Sequence, residues 1–136
     1  LYLLISIIYW LYKTFLRSAK DHLNIYGKDS YVLITGCTDG IGKGYAKKFA
    51  ELGFNLILVS RTEKKLNDVR NELLQINNKL NIVVKAFDFS KNFTANTYRE
   101  NFSIFVDKFD VSVLVNNVGI SHEDYFYKLV DNKTYN

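Results

Sequence analysis

Short apolar segments recur between residues 31 and 116, and longer segments with a different spacing of apolar residues lie between them. The short segments are rich in Val, Ile and Leu, which is typical of parallel strands that are buried on both faces. They predict four strands, at Tyr31–Thr35, Asn55–Ser60, Asn81–Phe87 and Val111–Asn116. Strands of this kind need helices on both faces of the sheet to cover them.

The segments between the strands have apolar residues three to four positions apart, which predicts amphipathic helices. The three apolar stripes are Ile41, Tyr45, Phe49 and Leu52; Leu66, Val69, Leu73 and Ile76; and Tyr98, Phe102, Phe105 and Phe109. Strands that alternate with helices of this length form parallel βαβ units with right-handed crossovers. The predicted fold class is therefore α/β, with residues 31–136 forming the N-terminal part of a doubly wound parallel (Rossmann) sheet of strand order 3-2-1-4.

A different pattern occurs at the start of the chain. Residues 1–12 read LYLLISIIYWLY, and this apolar and aromatic segment is followed by the cations Lys13, Arg17 and Lys20. The pattern predicts a membrane-associated anchor helix over residues 1–20, and the cations place the rest of the chain on the cytoplasmic side. Since a spanning helix needs about 20 apolar residues, the segment is either the cut end of a span or a helix that lies in the membrane interface.

Two other interpretations of this segment stay open. A signal peptide begins with cations and ends at small residues, which is the reverse of the order found here. A buried helix of a soluble protein can also have an apolar run of this length. The polar residues 21–30 that follow are predicted to be a linker.

Composition, net charge and the few cysteine and histidine residues indicate the general class of this protein. Of 136 residues, 48% are hydrophobic and 24% are charged, a balance typical of one globular domain. The net charge of +4 does not predict a nucleic-acid partner, because the eighteen Lys and Arg are scattered among acidic residues. Cys37 is the only cysteine, which favours a reducing compartment. His22 and His122 lie far apart, so no metal site is expected. The chain begins at Leu1 and lacks Met, which we interpret as a fragment or a processed product.

A glycine-containing loop, TGCTDGIG at residues 35–42, follows the first strand directly and leads into the first helix. Gly36 suits a tight turn, Gly40 allows backbone to approach a pyrophosphate, and Gly42 allows close packing of helix and strand. Backbone N–H groups at the helix N-terminus would face the phosphates. A strand-to-helix turn without a ligand is the alternative. The predicted cofactor-binding residues of the loop are Gly36, Thr38, Asp39, Gly40, Ile41 and Gly42.

The end of the second strand indicates which dinucleotide is bound. Enzymes that use NAD usually have Asp or Glu here to bind the ribose hydroxyls, whereas this chain has Ser60 and Arg61. A carboxylate would repel a 2′-phosphate and a guanidinium would bind it, so the pair predicts NADP(H). In the alternative interpretation, Ser60 to Glu63 form a capping box in which Ser60 merely caps the second helix.

The spacing of Thr-Gly before Gly-Ile-Gly resembles that of the short-chain dehydrogenase/reductase family. The segments TGCTDGIGKGYAKKFAELGFNLILVSR and LVNNVGIS look like the branch of very-long-chain 3-oxoacyl-CoA reductases and the similar 17-beta-hydroxysteroid dehydrogenases, over about residues 27–122. The resemblance implies that Asp88 contacts the adenine and that Asn116, Asn117 and Gly119 lie beside the cofactor ribose. An ordinary turn at the end of a strand would have the same residues.

The resemblance also implies the activity, an NADPH-dependent reduction of a ketone. The substrate expected from it is the 3-keto group of a long-chain acyl-CoA in fatty-acid elongation at the endoplasmic reticulum membrane, with a steroid ketone as the alternative. A non-catalytic NADP-binding or interaction protein is the alternative of another class. The family's catalytic Ser, Tyr and Lys are expected beyond Asn136, because the single Tyr-x-x-x-Lys, Tyr9 to Lys13, precedes the glycine loop. No residue of this chain is therefore assigned as catalytic.

Overall fold

Four parallel strands form one sheet, and when they are numbered in chain order they lie in the predicted order 3-2-1-4. The structure is a computed structural model that describes residues 1–16, 22–27, 29–91 and 94–119. The strands are β1 (Tyr31–Thr35), β2 (Asn55–Ser60), β3 (Ile82–Ala86) and β4 (Val111–Val115). The helices are α1 (Tyr2–Leu11), α2 (His22–Tyr26), α3 (Gly40–Glu51), α4 (Glu63–Ile76) and α5 (Ala95–Lys108), with a π-helical turn at Tyr12–Leu16. Among the described residues the architecture is the predicted Rossmann-like α/β fold.

The two faces of the sheet bury different sets of side chains, because side chains alternate along each strand. On one face, Val32 and Ile34 of β1 belong to a cluster with residues of α3 and α4. On the other face, Leu33 packs in a cluster that includes Ile57 of β2 and Phe105 of α5. The central strands are therefore covered on both faces, as the Val- and Leu-rich sequences require.

The prediction of the apolar stripe was right for most positions of α4 and α5, except the exposed Ile76 and Tyr98, and wrong for most of α3, where only Phe49 of the stripe packs against the core. In α3 the buried residues are Gly42, Ala46 and Ala50, whereas Ile41 and Tyr45 of the predicted stripe are 74% and 47% exposed. Small side chains let this helix approach the sheet closely, and that approach turns the larger residues outward. In α4 the buried residues include the expected Leu66, Val69 and Leu73; in α5 Phe105 is buried, and Phe102 and Phe109 are partly buried.

The segment predicted as a polar linker differs from that expectation, because part of it packs on the domain. Leu23 of α2 contacts the core cluster on the α3 and α4 side of the sheet. A Cβ built on Gly53 would lie 3.0 Å from the Leu23 Cδ1 atom, so the two residues are in close contact. The Tyr26 ring lies 6.3 Å from the Phe54 ring. These contacts attach α2 to the turn between α3 and β2.

Helix α1 is apolar and its side chains are exposed. None of its residues is buried, and the exposed apolar side chains continue to Phe15, whose ring meets the Trp10 ring edge-on at 6.2 Å. Within the described ranges, no helix combines the length and the apolarity that a membrane crossing requires. Arg17 and Lys20, which belong to the predicted cationic flank, lie outside the described residues.

Candidate functional site

A cleft of about 460 Å³ lies at the carboxyl ends of the strands. This is the edge at which open α/β sheets bind their ligands. The cleft is lined by Gly36, Thr38, Asp39, Ser60, Arg61, Phe87, Asp88, Phe89, Ser90, Asn117, Val118 and Gly119. Most of the predicted cofactor-binding residues are thus brought together. Of the others, Asn116 lines an adjoining cleft of about 430 Å³, and Gly40, Ile41 and Gly42 form the first turn of α3.

The glycine loop has the backbone geometry that the sequence predicts. Gly36 and Gly40 have φ values of +64° and +51°, a region that favours glycine. At Gly42 the reason for glycine is space, since a Cβ there would collide with the Gly36 carbonyl oxygen and lie 2.5 Å from Asn117 Nδ2. At Gly40 a built Cβ meets no heavy atom of the described residues within 4 Å, apart from the chain neighbours of Gly40 and the backbone of α3. At this position it is therefore the positive φ, and not a lack of room, that favours glycine.

The end of β4 is joined to the glycine loop by hydrogen bonds that sequence reasoning missed. The Thr35 hydroxyl accepts from the backbone N–H of Asn117 at 3.0 Å and of Val118 at 3.3 Å, and donates to the Val115 carbonyl. The Asn117 side-chain amide donates to the Gly36 carbonyl at 3.2 Å. Asn117, which was expected beside the ribose, thus also holds the loop in place. The sequence feature that could have predicted this role of Thr35 is a hydroxyl group at the end of an otherwise apolar strand, where the structure buries it.

A second polar corner of the cleft is formed where β2 ends. The Thr38 and Ser60 hydroxyls are hydrogen-bonded to each other at 3.0 Å, and the exposed Arg61 follows Ser60. The capping-box alternative for Ser60 is wrong, because the N-cap of α4 is Thr62 and makes no side-chain capping bond. Ser60 is still part of β2 and is paired with Ala86, so its hydroxyl is directed to Thr38 rather than to the helix.

Asp88 lies in the turn after β3 and accepts two hydrogen bonds from Ser90. Its Oδ1 atom lies 2.8 Å from the Ser90 hydroxyl and 3.1 Å from the Ser90 backbone nitrogen. The hydrogen bonds from Ser90 lower the pKa of Asp88, and the charges of Arg61 and Lys91 lower it further. The cleft therefore carries a carboxylate at neutral pH at the position that was expected to meet the adenine.

Aromatic side chains form one wall of the cleft, and none of them was predicted to line a site. The Phe87 and Phe89 rings meet edge-on at 4.8 Å, and Phe102 of α5 packs against Phe87 at 5.0 Å. Phe89 lines both clefts. An aromatic, apolar wall beside polar groups suits a nucleoside, which has an aromatic base and a polar sugar.

Cys37 lies within the glycine loop but is buried beneath it. Its thiol contacts the Val59 carbonyl at 3.6 Å. Burial raises the pKa of Cys37 to about 11, so the side chain is a neutral thiol at physiological pH. The residue packs the loop against β2, and a buried neutral thiol is expected to be unreactive.

Known proteins are similar to this chain in sequence and in fold. A family profile described as short chain dehydrogenase matches residues 30–136. The very-long-chain 3-oxoacyl-CoA reductase of Coccidioides immitis is 38% identical over 118 residues, which cover 87% of this chain and 33% of that protein. The enzyme of the same name from Kluyveromyces lactis is 42% identical over 99 residues, covering 71% of this chain and 27% of that protein. The chain thus spans about a third or less of these relatives.

Solved structures agree with the fold. The crystal structure of YwfH, described as an NADPH dependent reductase involved in bacilysin biosynthesis, superposes with a TM-score of 0.61 at 26% sequence identity. The match covers 73% of this chain and 38% of that protein.

Proposed function

Because this chain belongs to the short-chain dehydrogenase family, we propose that it is the coenzyme-binding part of an NADPH-dependent reductase of long-chain 3-oxoacyl-CoA. The coenzyme assignment depends on the corner formed by Thr38, Ser60 and Arg61 at the end of β2. A guanidinium and two hydroxyl groups can bind a 2′-phosphate by charge-assisted hydrogen bonds. A carboxylate at this position would instead favour the free ribose hydroxyls of NAD.

The glycine loop also fits the coenzyme. Gly42 allows α3 to pack closely against the end of β1, so that the N-terminus of α3 lies at the cleft, where a pyrophosphate would bind. When bound, NADPH supplies the hydride that reduces a ketone, and the residues of this chain bind and orient the coenzyme. In this proposal the adenosine contacts Asp88 and the aromatic wall at Phe87 and Phe89, which line the same cleft.

The substrate class is supported by the names of the relatives, which are reductases of very-long-chain 3-oxoacyl-CoA. We extend the proposal to fatty-acid elongation, and a steroid ketone is the rival substrate. The whole activity belongs to the complete polypeptide that contains this chain. The proton donor for the ketone oxygen is not assigned to any residue of this chain.

We further propose that residues 1–16 attach the protein to a membrane, with the domain on the cytoplasmic side of the endoplasmic reticulum. The support for this is the exposure of the apolar side chains from Leu1 to Phe15. Exposed apolar surface of this extent is costly in water, and a lipid interface would remove that cost.

One assay tests the proposed activity. The complete polypeptide is mixed with NADPH or NADH and with either a long-chain 3-oxoacyl-CoA or a 17-keto steroid, and coenzyme oxidation is followed by absorbance. We expect oxidation of NADPH by the acyl-CoA. If NADPH were oxidised only in the presence of the steroid, the substrate would be a steroid ketone and not an acyl-CoA. Coenzyme binding without turnover of either compound would favour a non-catalytic NADP-binding protein.

A further inference from the structure

Asp39 lies at the position in the cleft where the coenzyme's pyrophosphate is expected. It is the N-cap of α3, it is exposed, and it lines the cleft. Its Oδ1 atom accepts a hydrogen bond of 2.7 Å from the backbone nitrogen of Gly40, the first residue of the helix. One backbone N–H group at the N-terminus of this helix thus already donates its hydrogen bond to a side-chain carboxylate.

The same N–H groups form the anion site of a dinucleotide-binding loop. Backbone N–H groups and the helix dipole favour negative charge at this end of a helix, and the pyrophosphate of the coenzyme binds there. A carboxylate and a pyrophosphate cannot both accept from the Gly40 nitrogen at close range, since both are negatively charged and would repel each other. A pyrophosphate that uses the Gly40 nitrogen would therefore displace the Asp39 side chain.

Nearby cations do not remove this repulsion. Lys43, in the first turns of α3, is paired with Glu72 of α4 at 2.8 Å, and Lys47 approaches the same carboxylate at 3.8 Å. Within the described part of the chain, the ion pairs do not include Asp39. Arg61 lines the cleft but lies at the corner assigned to the 2′-phosphate.

We propose that the Asp39 carboxylate occupies the pyrophosphate site of the coenzyme-free protein and must be displaced when NADPH binds. This role of Asp39 rests on the proposed coenzyme function. It makes Asp39 a residue that lowers the affinity for the coenzyme. When the cleft holds no coenzyme, the Asp39 carboxylate accepts a hydrogen bond from the exposed N-terminus of α3. Displacing the carboxylate from this position costs free energy and so weakens binding of the dinucleotide. An affinity limited in this way favours release of the coenzyme after each reaction.

The test compares D39N with the unchanged complete polypeptide. Asn is isosteric with Asp and is an equally good N-cap, so this variant keeps the fold and the Gly40 hydrogen bond while it removes the charge. We expect the Kd for NADPH to fall by roughly tenfold or more, because the loss of a like charge in contact with the pyrophosphate exceeds about 1.4 kcal/mol. The matched control is D107N at the far end of α5, which changes the net charge equally and should leave the Kd unchanged.

Two smaller probes separate this role from a general charge effect. Inorganic pyrophosphate should compete with NADPH more strongly in D39N than in the unchanged protein. Adenosine 2′-monophosphate, which lacks the pyrophosphate, should bind both proteins equally. An unchanged or weaker NADPH affinity in D39N, or an equal gain for adenosine 2′-monophosphate, would overturn the proposal. If neither protein binds NADPH, the coenzyme function itself fails, and the role of Asp39 fails with it.

Discussion

The side-chain amide of Asn117 donates a hydrogen bond of 3.2 Å to the carbonyl oxygen of Gly36, across 81 positions of the sequence. This bond connects the end of β4 with the loop that is expected to hold the coenzyme phosphates. Gly42 packs against the same two residues, because a Cβ on Gly42 would meet both of them. The shape of the loop is therefore determined by a contact among three residues from two distant segments.

A glycine pair on α3 tests this contact. Replacing Gly42 with Ala should lower the free energy of unfolding by about 1–3 kcal/mol or more, since the added methyl group has no room. Gly44 is the matched control on the same helix, because among the described residues a built Cβ there meets no heavy atom within 4 Å outside its chain neighbours and the backbone of α3. Gly44→Ala should stabilise the fold by about 0.5–1 kcal/mol. Urea unfolding measures both changes, and equal effects of the two substitutions would contradict the packing described here.

The coenzyme preference should depend on Arg61. Hydrogen bonds to charged groups contribute about 1.5–3 kcal/mol, so Arg61→Asp in the complete polypeptide should reduce the preference for NADPH over NADH by roughly ten- to a hundredfold. Titration calorimetry with both coenzymes measures the ratio. Arg70→Asp on α4 makes the same charge change outside the cleft lining and should leave the ratio unchanged. If Arg61→Asp also left it unchanged, the 2′-phosphate assignment would be wrong.

The pKa of Asp88 should respond to Ser90. The side-chain hydrogen bond from Ser90 is the largest cause that lowers this pKa, so Ser90→Ala should raise it toward its usual value. A lowered folded-state pKa means stability that is present above the unfolded-state pKa and is lost as the pH falls through the folded-state pKa. NMR titration of the Asp88 carboxyl carbon checks the shift. As a control, Ser103→Ala on the exposed surface of α5 should leave the lowered pKa of Asp88 unchanged.

Membrane attachment should depend on the first residues of the chain. The full 136-residue chain should float with liposomes in a density gradient, because the apolar side chains from Leu1 to Phe15 are exposed. A form that starts at Asp21 keeps Leu23, which packs on the core, and should stay in the soluble fraction. The anchor proposal fails if both forms stay soluble or if both float.

Several features of this protein are local and could be predicted from the sequence. The apolar runs of β1 and β2 indicate their strands, and the alternation of strands and helices indicates the order of the sheet. The positive φ of Gly36 follows from a short turn between a strand and a helix. Such features depend on residues that are close together in the chain, so their spacing contains the necessary information.

Which side of α3 is buried and which groups meet at the cleft depend on how the elements pack together. The apolar stripe through Ile41 and Tyr45 is exposed, because Gly42, Ala46 and Ala50 allow the helix to approach β1 more closely than a larger side chain would. The bond between Thr38 and Ser60 and the bond between Asn117 and Gly36 likewise join distant segments. Contacts of this kind depend on how closely backbones approach one another and on where a hydroxyl or amide points after packing. Hydrophobic periodicity contains neither quantity, because it records the spacing of apolar residues and not the distance between elements.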